Sequence, residues 1–256
     1  MMILPLFEKF KKKSRKKVYQ LPEGWRVYAV GDIHGRADLL ERLNQIIVLD
    51  SEADPFKKNL AVYLGDYLDR GPFVRETLDL LLSGLPSGFK TEYLHGNHEE
   101  FFLRFLEDPS ILEMWVALGG QSTLMSYGVQ PGMGFSPERA RKVREELLQA
   151  IPREHLEFLI NLKPFVVLGD YVFVHAGIRP GVPLDKQKPE DLFWIRDDFL
   201  NSRADHGYKV IHGHTIDEQV QKLFNRIGVD TGAYATGILS CAVLEDNRIR
   251  FLSTEA

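Results

Sequence analysis

The chain has 256 residues, 44% of them hydrophobic, enough for one large α/β domain to bury a core without staples. Its formal charge is −4, but Lys9, Lys11, Lys12, Lys13, Arg15, Lys16 and Lys17 against Glu8 put +6 on residues 1–17 and leave −10 on the rest, an acidic body that argues against nucleic acid as a partner. The single cysteine, Cys241, sits in the apolar run Ile238–Leu244, which excludes a disulfide framework and suits a reducing, cytoplasmic location.

No stretch approaches the ~20 apolar residues of a membrane span, and the N-terminus runs apolar before basic, the reverse of a secretory signal. Ile3, Leu6, Phe7 and Phe10 fall at helical spacing, so the basic tail, residues 1–24, reads either as a solvated arm or as a short amphipathic helix in weak contact with an anionic membrane surface. Residues 25–256 read as one domain. Within it Arg26–Val30 reads as a strand and Ala37–Leu49 as a helix with Leu39, Leu40, Leu43, Ile46 and Ile47 on one face. Leu60–Leu64, Phe73–Leu82, Thr91–Leu94 and Glu99–Leu106 repeat the alternation, which indicates right-handed crossovers and a largely parallel sheet. Residues 111–161 read as mostly helical, an insert covering the site, with Ser136-Pro137 and Pro152 opening helices. Two hairpins follow, Phe165–Leu168 with Tyr171–Val174, and Ile238–Glu245 with Ile249–Ser253.

Each of the first three strands runs apolar and stops at a polar cluster: Gly31-Asp32-Ile33-His34-Gly35, Gly65-Asp66-Tyr67-Leu68-Asp69-Arg70-Gly71, and His95-Gly96-Asn97-His98-Glu99. Two later strands end alike, at His175-Ala176-Gly177 and His212-Gly213-His214-Thr215. A lone Gly-Asp or Asn-His pair is usually a turn, but five such clusters at strand ends should converge on the crevice at the carboxyl edge of a sheet. Imidazoles, carboxylates and an amide are the ligands that first-row divalent cations accept, and a pair of cations can share one carboxylate and clamp a phosphoryl group undergoing in-line displacement. The assignment that follows places Asp32, His34 and Asp66 on one metal, and Asp66, Asn97, His175 and His214 on the other.

In its GDxHG, GDxxDRG and GNHE motifs, at Gly31–Gly35, Gly65–Gly71 and Gly96–Glu99, the chain resembles the calcineurin-like metallophosphoesterases, and within them the bacterial and phage serine/threonine phosphatases of the phosphoprotein phosphatase branch. The resemblance implies an α/β fold, a four-layer αββα sandwich of two mixed sheets flanked by helices. It also implies a metal-dependent phosphomonoester hydrolase: two divalent ions, manganese first with iron or zinc as alternatives, and a bridging hydroxide that attacks phosphorus directly. The substrate would be a phosphoprotein or a small phosphoester, with no regulatory subunit. Carried over by position, His98 is the general acid, Asp69 orients it, and Arg70 and Arg196 bind the phosphate, with Arg179 the competitor for the second arginine role.

Other residues receive plainer readings. His95 and His212 are neighbours of ligands, Glu99 caps the following helix, Tyr234 either lines the cleft or is a loop aromatic, and His155 and His206 are surface residues. Against the better-known eukaryotic branch, His95 stands in place of an arginine and Ala176 in place of a glycine. Two rivals remain: a symmetrical dinucleoside tetraphosphate (Ap4A) hydrolase, which typically carries an aromatic where Thr215 stands, and a phosphate-binding module without activity, disfavoured by the complete ligand set; a cysteine phosphatase is rejected because no glycine-rich turn follows Cys241.

Overall fold

In the computed structural model, residues 18–132, 134 and 136–255 are described. The basic segment 1–17 and its suggested membrane contact lie outside them. The alternating part of the chain forms β1 (Trp25–Val30), α1 (Ala37–Ser51), β2 (Lys58–Tyr63), α2 (Val74–Ser83), β3 (Phe89–Tyr93) and α3 (Asn97–Glu107). Next come α4 (Leu112–Trp115), a kinked turn (Val116–Gly120), α5 (Gln121–Ser126), α6 (Pro137–Ala150) and α7 (Arg153–Ile160). Ser136 opens α6 as the sequence suggests, its hydroxyl accepting the Arg139 amide at 3.1 Å.

The remaining elements are β4 (Phe165–Leu168), β5 (Tyr171–Val174), α8 (Pro189–Trp194), α9 (Asp197–Leu200), β6 (Lys209–His212), β7 (Gln221–Lys222), β8 (Arg226–Gly228), α10 (Ala233–Thr236), β9 (Ser240–Glu245) and β10 (Arg248–Ser253). They complete two five-stranded sheets, ordered β10-β9-β1-β2-β3 and β4-β5-β6-β8-β7. The expectation of a largely parallel sheet holds for β1-β2-β3 and β5-β6-β8 only. Both sheets are mixed, because hairpins add antiparallel strands at their edges, with β9 placing Cys241 opposite Val30.

Alternation along β1 explains the layering, since successive side chains leave a strand on opposite faces. Tyr28 and Val30 join α1, α2, α3 and the later helices in one core, while Val27 and Ala29 meet Phe173, Ile211 and Ile227 of the second sheet in another. The far face of that second sheet, Val172, Val174 and Val210, is covered by Leu192, Phe193 and Phe199. The result is a four-layer αββα sandwich. Residues 18–24 pack on it, with Tyr19 and Leu21 buried in the inter-sheet core. No helix among the described residues is long and apolar enough to cross a membrane.

Candidate metal centre

All five polar clusters lie at the carboxyl ends of their strands, and forcing so many side chains toward one point bends the backbone hard. Of the six non-glycine residues with positive φ among the described residues, five belong to these clusters: His34, Asp66, Asp69, Arg70 and His214. Such conformations cost of order 1–3 kcal/mol each and persist where the surroundings over-determine them. Two glycines are required by close approach. A Cβ on Gly96 would stand 2.2 Å from Asp66 Oδ1, and one on Gly213 would stand 2.0 Å from Asp32 Oδ1.

Asp66 lies at the middle. His34 Nε2 is 3.5 Å from its Oδ2, His175 Nε2 is 3.4 Å from its Oδ1, and His98 Nε2 is 3.9 Å from Oδ2. Two buried clusters of donor atoms therefore share this carboxylate, His34–Asp66–His98 and Asp66–His175–His214, with the atoms of each within 4.8 Å of one another. Asn97 joins the second, its Oδ1 2.9 Å from His175 Nε2. Asp32 belongs to neither cluster by that distance; its two oxygens accept the His214 amide at 3.1 and 2.9 Å.

The tautomers show what this arrangement is suited to hold. His34 Nδ1 lies 2.8 Å from the Leu68 carbonyl and His175 Nδ1 2.9 Å from the Leu64 carbonyl. A carbonyl only accepts, so each Nδ1 carries a proton and each Nε2 of a neutral ring presents a lone pair. Those lone pairs face oxygens of Asp66 and Asn97, acceptor against acceptor. Burial keeps the rings neutral, pushing His34 down to about 3 and His214 down to about 2, and lowering His175. His214 Nε2 is also buried with no hydrogen-bond partner among the described residues. Burial, then the charges of Asp230 and Asp66, raise the Asp32 carboxyl well above the usual carboxylate range. Lone pairs and carboxylates converging in a buried space are the donor set of a divalent cation.

Beside these donors, His98 Nδ1 donates to Asp69 Oδ2 at 2.7 Å, and its Nε2 is buried and unpartnered among the described residues. Burial opposes protonation of His98, but Asp66 and Asp69 outweigh it and raise its pKa. Arg70 lies with its guanidinium 4.8 Å from the centre of the Tyr234 ring, whose edge-on neighbour at 5.4 Å is His34. Tyr234 therefore packs against two residues of the polar clusters. Arg196 is exposed, bonded only weakly to Thr215 Oγ1 at 3.4 Å, and its charge helps to depress His214. Arg179 is engaged elsewhere, on Asp191 at 2.6 Å and Asp198 at 2.9 Å.

Glu99 caps α3 and does more. Its Oε2 accepts the amides of Asp66 at 2.9 Å and Gly96 at 3.0 Å, and its Oε1 those of Tyr67 at 2.8 Å and Leu68 at 3.2 Å, which ties the second motif to the third. His95 stacks on Phe193 and His212 packs edge-on to Phe199, both as neighbours rather than members of the clusters. The surface reading of His155 is wrong: it is fully buried between Tyr127 Oη at 2.8 Å and Asp79 Oδ1 at 2.9 Å, linking α7, the end of α5 and α2. His206 is half-buried, packed on Phe199. The sequence reading missed Asp230, a buried carboxyl pushed up to about 6 chiefly by burial and close enough to Asp32 to raise its pKa. It missed Trp194 as well, whose indole N–H bonds Glu100 while its ring lies 6.4 Å from His214.

Comparison with known proteins bears on this geometry. The model of the family described as calcineurin-like phosphoesterase matches residues 26–250. The chain is similar to serine/threonine-protein phosphatase 2 of Escherichia coli (strain K12), 28% identical over 224 residues that cover 84% of this chain and 90% of that one. It is also similar to the asymmetrical bis(5′-nucleosyl)-tetraphosphatase PrpE of Bacillus cereus (strain Q1), 24% identical over 229 residues that cover 82% and 87%. A solved cold-active protein tyrosine phosphatase shares the fold, with a TM-score of 0.58, 20% identity, and coverage of 91% of this chain and 78% of that one.

Proposed function

The chain belongs to the calcineurin-like phosphoesterase family and is a metal-dependent phosphoesterase; from that premise we propose that it is a serine/threonine protein phosphatase working on two divalent cations, manganese first. The observation that carries this reading is the convergence of neutral imidazole lone pairs on Asp66. Asp32, His34 and Asp66 would hold one cation, and Asp66, Asn97, His175 and His214 the other, within a single catalytic domain. Cations bound there supply the Lewis-acid charge that activates water and neutralises phosphoryl oxygens.

The chain's own groups do the rest. Arg70, whose charge acts on Asp32 and Asp230, and the exposed Arg196 flank the donors with guanidinium groups suited to gripping two phosphate oxygens. Asp69 keeps a proton on His98 Nδ1, and Asp66 and Asp69 raise the His98 pKa, which favours the form with a second proton on Nε2 that can pass to the leaving oxygen. The cytoplasm is the proposed site of action, in keeping with the buried thiol of Cys241.

A second reading, dinucleoside tetraphosphate hydrolysis, is favoured by the relatives of that name. The test is a side-by-side assay with Mn²⁺: release of phosphate from phosphoserine and phosphothreonine peptides at a higher kcat/KM than cleavage of diadenosine tetraphosphate supports the first reading, and the reverse order replaces it with the second.

A further inference from the structure

The segment between α3 and α6 reaches into the site at two consecutive residues of the second motif. Asp69 is wholly buried, and besides His98 its carboxylate accepts the Trp115 indole N–H on Oδ2 at 3.1 Å and the Thr123 hydroxyl on Oδ1 at 2.5 Å. The Thr123 hydroxyl also accepts the amide of Asp69 itself at 3.0 Å. Arg70 is held from the same segment, its amide donating to the Gly119 carbonyl at 3.2 Å and its carbonyl accepting Ser122 Oγ at 3.0 Å. Trp115 and Thr123 are themselves fully buried.

A regular helix could not do this. Residues eight apart are about 12 Å apart along a helix axis at 1.5 Å per residue, yet both side chains end on one carboxylate. A kink at Gly119, whose φ of 114° and ψ of 0° are not helical, breaks the path between α4 and α5 and closes that distance, with its backbone against Arg70.

We infer that Trp115 and Thr123 are positioning residues for the general acid. They fix the plane of the Asp69 carboxylate, which in turn keeps His98 Nδ1 protonated and Nε2 aimed at the leaving group. In the step they serve, the oxygen of a hydroxide bonds to phosphorus, the bond from phosphorus to the leaving oxygen breaks with its electron pair on that oxygen, and the Nε2 proton joins that oxygen, leaving the alcohol, hydrogen phosphate and a neutral His98. This inference rests on the reading of His98 as the acid in phosphomonoester hydrolysis.

The discriminating measurement is the leaving group. An alkoxide such as that of phosphoserine needs the proton, whereas p-nitrophenolate departs without it. Thr123→Val is expected to lower kcat on a phosphoserine peptide by roughly 10–100-fold, a part of the 10²–10⁴ that general acids supply. On p-nitrophenyl phosphate the loss should stay below about threefold, with KM and manganese content unchanged. Thr123→Ser, which keeps the hydroxyl, should restore the alkyl activity. If Thr123→Val does not fold, Trp115→Phe removes only the indole donor and is read in the same way. Equal losses on both substrates, or none on either, would overturn the inference. His98→Ala is the control: if it shows the split and the positioning variants do not, this inference alone fails, whereas the absence of a split in His98→Ala removes the acid role itself.

Discussion

Replacing Glu99 by glutamine changes one carboxylate oxygen into an amide nitrogen and nothing else in shape. In the native structure each oxygen accepts two backbone amides, from Asp66 and Gly96 on one side and Tyr67 and Leu68 on the other. The substituted side chain can satisfy one pair; its NH₂ must then face the other two N–H groups in a site with no exposure. A buried donor left unpaired costs about 1–3 kcal/mol, so Glu99→Gln should lose about 2–6 kcal/mol, a large part of the 5–15 kcal/mol typical of a domain. Burial and the charge of Asp66 push the Glu99 carboxyl up to about 8, while His98 and the amides of Leu68 and Asp66 pull the other way. Four donors and no acceptor leave no place for a proton, and we take the group as ionised. The assay is urea unfolding of the metal-stripped variant beside the metal-stripped native protein. A loss under about 1 kcal/mol would mean that the carboxyl is protonated and already resembles glutamine, and would refute the reasoning.

Further outcomes follow from the same geometry. Arg196→Ala should lower kcat/KM by about 10–100-fold, the worth of a charge-assisted hydrogen bond, while Arg179→Ala, whose guanidinium is already engaged by Asp191 and Asp198, should stay within about threefold of native in the same steady-state assay. His98 has a pKa raised above its ordinary 6.5, so its acid form is present below that raised value and lost as pH rises through it. Turnover of an alkyl phosphate should therefore fall on the alkaline side, and Asp69→Asn should move that limb to lower pH in a pH–rate profile. Iodoacetamide should leave activity intact, since Cys241 is fully buried and burial pushes its thiol pKa up; inactivation matched to alkylation of Cys241 would reopen the cysteine-phosphatase reading.

What could be read from the chain was whatever is local. Apolar runs ending in Gly-Asp, Gly-Asn-His and Gly-His gave the strand ends, and helical spacing placed α1, α2 and α3 to within a few residues. The same locality hid the rest. Asp230 lies in Val229-Asp230-Thr231-Gly232, which has the composition of a turn, and nothing nearby in sequence marks it as a neighbour of Asp32. Trp115 and Thr123 sit in a stretch legible only as helical, and their link to Asp69 spans 46 and 54 residues. His155 looked like a surface residue because its partners, Tyr127 and Asp79, lie 28 and 76 residues away. The two-sheet arrangement was not in the periodicity, since pairing of β9 with β1 joins the two ends of the chain.

Every role given to these residues depends on Asp66 being shared by two cations. Crystals grown with Mn²⁺ and measured at the manganese absorption edge test that directly. The account expects two anomalous peaks on opposite sides of the Asp66 carboxylate, one beside His34 and Asp32, the other beside Asn97, His175 and His214, with at least one lost in Asp66→Asn. A single peak remote from Asp66, or two peaks undiminished in that variant, would contradict it.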